Sequence, residues 1–126
     1  MQIARALIPI NNQSSVLGQV KKMLNKLETT LEGVFLINEL SNKTSDKIVS
    51  FGELFSSFII AKAMQNNNLD VTLKNSQELI VTNNNFSNAA VIFPKTNTNI
   101  KAFFEQNNSK IIMLPGFVAK TENDEV

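Results

Sequence analysis

The chain has neither cysteine nor histidine among its 126 residues, and each absence excludes chemistry. Without cysteine there is no disulfide framework, so a secreted mini-protein is excluded. Without histidine, zinc sites of the usual kinds, imidazole acid–base chemistry and every Ser-His-Asp triad drop out. Charge is nearly balanced, with 12 basic and 11 acidic residues, a net charge of +1 and no basic run. A nucleic-acid partner is therefore not expected. No uninterrupted apolar run approaches the roughly 20 residues of a membrane span, and the N-terminus lacks a signal-peptide layout, so no membrane partner is expected. Any chemistry must rest on carboxylates, lysines, hydroxyls and backbone amides. The hydrophobic share of 43% suffices for a core, and the length bounds the chain to one domain or a piece of one.

The organising stretch is residues 44–64, TSDKIVSFGELFSSFIIAKAM. Thr44 or Ser45 can cap a helix there, with Asp46 favoured by the dipole of its first turn. The segment is apolar nearly all round, which predicts a helix in the middle of a fold. One polar stripe interrupts it: Asp46, Ser50, Glu53 and Ser57 recur at four, three and four. Gly52 lies beside the stripe, where a mid-helix glycine costs roughly 1 kcal/mol relative to alanine. A carboxylate, hydroxyls and a costly glycine suggest docking of something small and cationic. The plain alternative is a solvent-facing stripe, with Gly52 letting a neighbour pack closely.

Around this helix the chain divides into an arm or linker (1–13), a central part (14–119) and a charged, mobile tail (120–126). The arm reads as a short helix or an ill-ordered segment. Ser14 or Ser15 would cap a helix to about Leu40, whose Leu17, Val20, Leu24, Leu27, Leu31 and Val34 form a heptad-like seam. Across the turn 41–43 it would pair with the 44–64 helix as an antiparallel hairpin, completing residues 14–66. Residues 69–119 read as the αβ part. Alternation over 69–74 marks a strand, and Asn75 with Glu78 resembles a capping box for one helical turn. Residues 82–88 read as a loop, 89–93 as a strand ended by Pro94, and 97–106 as a helix capped by Thr96 with Phe103 and Phe104 inward. KIIML at 110–114 is a further strand. Strand, helix, strand at these lengths implies parallel pairing. The class is α/β, and Gly116-Phe117 after KIIML lies where such sheets place ligands.

Four phrases carry a resemblance: DKIVSFGELFSS (46–57), QELIVTNNNFSNA (77–89), TNTNI (96–100) and IIMLPGFVAKTENDE (111–125). Their order and spacing resemble aspartate kinase of the amino-acid kinase family. The helical lead-in is similar to that of the bifunctional aspartate kinase–homoserine dehydrogenases, and the likeness covers roughly residues 27–125. It implies a fragment of the three-layer, carbamate kinase-like fold, with a helical hairpin followed by parallel strands and a crossover helix. It also implies an enzyme, cytoplasmic and homo-oligomeric, that phosphorylates L-aspartate to 4-phospho-L-aspartate with ATP and Mg2+. In the family's pattern Glu53 matches the glutamate that receives the α-ammonium of aspartate. Ser50 and Gly52 would shape the approach, and Gly116 and Phe117 match the Gly-Phe turn at the cleft edge. None of these is a catalytic or metal-ligating residue.

Two family phrases are missing, the Lys-Phe-Gly-Gly-Thr-Ser that contacts phosphates and the Gly-Arg-Gly-Gly-Ser-Asp that binds substrate and nucleotide. The resemblance therefore implies an internal fragment that is inactive alone and binds no cofactor itself. Two other readings stand beside it: a non-enzymatic helical interaction module using the Leu17–Val34 seam, and another amino-acid kinase, which the SFGE helix and TNNNF loop argue against.

Overall fold

The computed structural model describes residues 1–123 and 125. Helix α1 (Gln2–Leu7) precedes two long helices, α2 (Ile10–Ile37) and α3 (Asn42–Asn66), which form the hairpin. The arm takes the helical form: Ala4 and Ile8 are buried, and the Gln13 amide donates to the carbonyls of Arg5 and Ile8, both at 2.9 Å. The start of α2 differs from expectation. Its N-cap is Pro9, so the helix runs through Asn11, Asn12 and Gln13 before reaching Ser14. Asn38 closes it in the left-handed conformation, φ 50°, where asparagine is tolerated better than most residues.

The cap of α3 also moves, to Ser41, whose hydroxyl accepts from the Thr44 amide at 3.2 Å. Asp46 consequently lies beyond the first turn, and its carboxylate has a different use. Nor is α3 buried all round. Phe51, Phe58 and Ala61 face inward with Ser50 and Ser57, whereas Val49 and Ile60 are exposed. By length and composition α3 could cross a bilayer; here it packs between α2 and the strand that follows it.

The main core joins Ile8, Val16, Val20 and Phe58, with Met23, Phe55, Ile59, Ala63 and Leu73 around them. Only part of the Leu17–Val34 seam is covered: Val20 is buried, while Leu24 and Leu31 remain exposed. Apolar side chains at the hairpin tip, Phe35, Leu36, Ile37 and Leu40, are exposed as well.

After α3 come β1 (Val71–Leu73), a 3-10 turn (Ser76–Glu78), β2 (Val81–Thr82), α4 (Phe93–Gln106), β3 (Ile111–Met113) and β4 (Lys120–Thr121). Two parallel pairs result, β1 with β3 and β2 with β4. Val71 sits opposite Ile111, and Val81 opposite Lys120. The connections that cross between partners contain α4, as parallel pairing demands.

Five details depart from the sequence reading. Residues 89–93 make only a single antiparallel bridge, Val91 to Thr82, because α4 already starts at Phe93. Pro94 opens that helix instead of ending a strand, in the first turn where its missing N–H costs nothing. Thr96, inside α4 and buried, turns its hydroxyl onto β2 and accepts from the Val81 amide at 3.0 Å. Thr82 and Lys120–Thr121, read as loop and tail, are strand residues. Phe104, read as core, is 49% exposed, and Phe103 packs edge-on against it.

Candidate functional site

A cleft of about 440 Å³ opens between the first half of α3 and the loops around β2 and β4. That size suits a small molecule, for which sites run from about 300 to 1,000 Å³. From α3 it is lined by Asp46, Val49, Ser50, Gly52 and Glu53. Thr82, Asn83, Phe86 and Ala89 come from the β2 side, and Phe117 to Ala119, Thr121 and Glu125 from the C-terminal side. Four of the five residues singled out by the family resemblance therefore meet in one place: Ser50, Gly52, Glu53 and Phe117. Gly116 is exposed beside them but does not line the cleft.

The polar stripe of α3 separates into three roles. Ser50 and Ser57 are buried and bond back into their own helix, to the carbonyls of Lys47 at 2.8 Å and Glu53 at 2.7 Å. Asp46 accepts from the Ser87 backbone amide at 2.6 Å, across 41 residues of sequence. The Glu53 carboxylate is exposed to the cleft, and among the described residues it has no hydrogen-bond or ion-pair partner. The solvent-stripe alternative thus fails for the serines and holds only in the sense that Glu53 meets the cleft's solvent.

Gly52 is not a close-packing glycine. A Cβ built on it would meet nothing within 4 Å, and its φ is not positive. It leaves open space beside Glu53. Phe117 is the opposite case, a bulky residue held at φ 52° with its side chain fully in solvent at the cleft lip. Left-handed backbone at a non-glycine residue is strained, and such strain gathers at binding sites.

The electrostatics are one-sided. Among the described residues the lining contains three carboxylates, from Asp46, Glu53 and Glu125, and no lysine or arginine. Glu125 is paired with Lys43 and Asp46 is held by Ser87, which leaves Glu53 as the uncommitted charge. Such a lining fits a cationic group and does not fit a nucleotide triphosphate, which needs positive charge around it.

Sequence reasoning passed over the loop contribution. Residues 83–88 look like plain turn chemistry, yet Asn83 organises them, its side-chain oxygen accepting from the Asn85 amide at 3.3 Å and the Ala90 amide at 3.0 Å. The run of asparagines was the available signal, since this side chain readily caps local turns.

The site and fold define an α/β segment with an acidic cleft on its central helix. No family model matches the chain. It is 28% identical over 109 residues to bifunctional aspartokinase/homoserine dehydrogenase 1 (chloroplastic) of Arabidopsis thaliana, covering 86% of this chain and 12% of that enzyme. Against the bifunctional aspartokinase/homoserine dehydrogenase of Buchnera aphidicola the identity is 30% over 101 residues, covering 79% of this chain and again 12% of the enzyme. The backbone matches E. coli aspartokinase III, solved with aspartate and ADP, at a TM-score of 0.80 and 16% identity, over 90% of this chain and 25% of that one. The same enzyme with lysine and aspartate gives a TM-score of 0.81. The chain is thus similar in sequence to part of the bifunctional aspartokinases and in backbone to part of aspartokinase III. It spans about 12% of the length of the curated relatives named here.

Proposed function

We propose that this chain supplies the amino-acid side of an aspartokinase active site, with Glu53 receiving the α-ammonium of L-aspartate. The observation that carries the reading is the uncommitted Glu53 carboxylate in a cleft whose lining, among the described residues, offers no cation. Two unit charges about 4 Å apart gain on the order of 4 kcal/mol at an effective dielectric near 20, before desolvation is subtracted. Ser50 and Gly52 support the role differently. Ser50 is fixed to its own helix and keeps the wall rigid, whereas Gly52 leaves room for the ligand. Phe117, with Gly116 behind it, offers an apolar lip to the carbon skeleton.

In this reading ATP supplies the phosphoryl group in the whole enzyme, with Mg2+, and both are held by residues other than those of this cleft. Glu53 orients the acceptor and does not transfer the group.

The experiment is a titration of the chain and its Glu53→Gln variant with L-aspartate and with succinate, which lacks the ammonium. A hydrogen bond to a charged group contributes about 1.5–3 kcal/mol, so the variant loses about 10- to 150-fold in L-aspartate affinity. Succinate binding stays as it was. Equal L-aspartate affinity in both proteins refutes the role of Glu53. In a full-length enzyme carrying this segment, the same substitution lowers kcat/KM for aspartate-dependent ATP turnover by a similar factor.

A further inference from the structure

We propose that Asp46 is a positioning residue of the cleft, holding the 83–88 loop so that Phe86 closes one wall. This rests on the reading that the cleft takes the amino acid, and gives a second carboxylate of the same helix face a different task from Glu53. Asp46 and Glu53 lie seven residues apart, two turns of α3, and both line the cleft. Sequence pattern alone would make them a pair of ligands for one cation.

The hydrogen bonds separate them. One carboxylate oxygen of Asp46 accepts from the Ser87 amide at 2.6 Å, and the other lies 3.5 Å from the Ser87 hydroxyl. Ser87 has φ 67°, a left-handed conformation costly for a residue with a side chain, and here it directs its amide at α3. Its neighbour Phe86 lines the cleft, and the Lys43 ammonium stands 5.9 Å from the ring centroid. Lys43 also pairs with Glu125 on the opposite lip. The first two turns of α3 therefore grip the loop through Asp46 and Lys43, and the C-terminal lip through Lys43. A backbone N–H accepted by a carboxylate is among the stronger hydrogen bonds available to a loop. Asp46 acts through the position of Phe86, not through contact with the ligand.

The test compares the chain with its Asp46→Ala and Asp46→Asn variants. Asparagine keeps an oxygen that can accept from Ser87 and removes the charge. The readouts are hydrogen exchange of the Ser87 amide, NOEs between the Phe86 ring and the Lys43 methylenes, L-aspartate affinity and the melting temperature. The Ser87 amide is protected in the parent chain and in Asp46→Asn, and exchanges freely in Asp46→Ala, where the Phe86 NOEs also vanish. L-Aspartate affinity falls about tenfold in Asp46→Ala, the equivalent of one hydrogen bond to a charged group, and by a clearly smaller factor in Asp46→Asn, which loses the charge but keeps the loop bond. Melting temperature falls by several degrees in Asp46→Ala, as the loss of such a bond requires, and by less in Asp46→Asn.

Two results overturn the proposal. One is an Asp46→Asn variant that binds L-aspartate as weakly as Asp46→Ala, which makes the charge a direct ligand. The other is a Ser87 amide that exchanges as fast in the parent as in Asp46→Ala. If no form binds L-aspartate while Ser87 protection is still lost only in Asp46→Ala, the amino-acid reading of the cleft falls and the hold of Asp46 on the loop stands.

Discussion

Replacing Gly52 by alanine separates what a glycine does for folding from what it does for a ligand. Gly52 lies in the middle of the 25-residue α3 with no positive φ and no neighbour within 4 Å of an added Cβ. Nothing in the fold opposes the methyl. The expected change is therefore the intrinsic gain of alanine over glycine in a helix interior, about 0.8 kcal/mol. Unfolding entropy of about 2.1 cal/mol/K per residue gives about 0.26 kcal/mol/K for a chain of this length, so the melting temperature rises by about 3 °C. The same methyl projects into the space beside Glu53. L-Aspartate affinity should fall, by about threefold to tenfold for a modest clash that the ligand relieves by shifting. Calorimetry and a binding titration on one preparation read both quantities. A variant that is less stable would show that Gly52 is kept for packing after all. A variant that is more stable and binds L-aspartate undiminished would show that the open space has no ligand to serve.

Two further substitutions test the frame around this site. Phe117→Gly relieves left-handed strain of about 1–2 kcal/mol without uncovering apolar surface, because the ring is already in solvent. It should raise the urea midpoint while weakening L-aspartate binding, and a lowered midpoint would mean that the ring packs on something. Phe58→Ala empties a core position shared with Val16 and Val20. It should cost about 3–5 kcal/mol, read as a fall in the urea midpoint with the slope unchanged, and a loss below about 1 kcal/mol would contradict this core.

What the sequence made legible depended on how far each feature reaches along the chain. The two long helices, β1, the 3-10 turn after Asn75 and β3 all announce themselves within a dozen residues, through periodicity or a cap. Glu53 stands out in the polar stripe and Phe117 by its place after KIIML, but only wording shared with a family weighs for a role there, since no local rule distinguishes a cleft-facing glutamate from a solvated one. The errors fall where a distant partner decides. Thr96 resembles a helix cap, but β2 claims its hydroxyl from fifteen residues away. Lys120–Thr121 carry no strand pattern and become β4 only because β2 offers a parallel edge, the Lys120 amide donating to the Ile80 carbonyl at 3.2 Å. Helical spacing alone points Phe104 inward, although the fold leaves 49% of it exposed with Phe103 against its ring. The Asp46–Ser87 bond, 41 residues apart, leaves no trace in pattern.

That bond also explains how so short a chain can present a shaped cleft. Its walls come from three segments that share little core with one another. The loops are tied at different points: the 83–88 loop to Asp46, and the C-terminal lip both to Lys43 and, through the Val118 carbonyl that accepts from the fully buried Ser76 hydroxyl at 2.7 Å, to the 3-10 turn. Two of these three ties begin in the first two turns of α3, below Glu53 on the same helix. Geometry at the carboxylate is therefore set by the helix that carries it, with the loops registered to that helix and, through the β2–β4 pairing, to each other. A site built this way keeps Glu53 in place even when the loops move, so loop substitutions should change affinity through the shape of the walls and leave the demand for an ammonium intact.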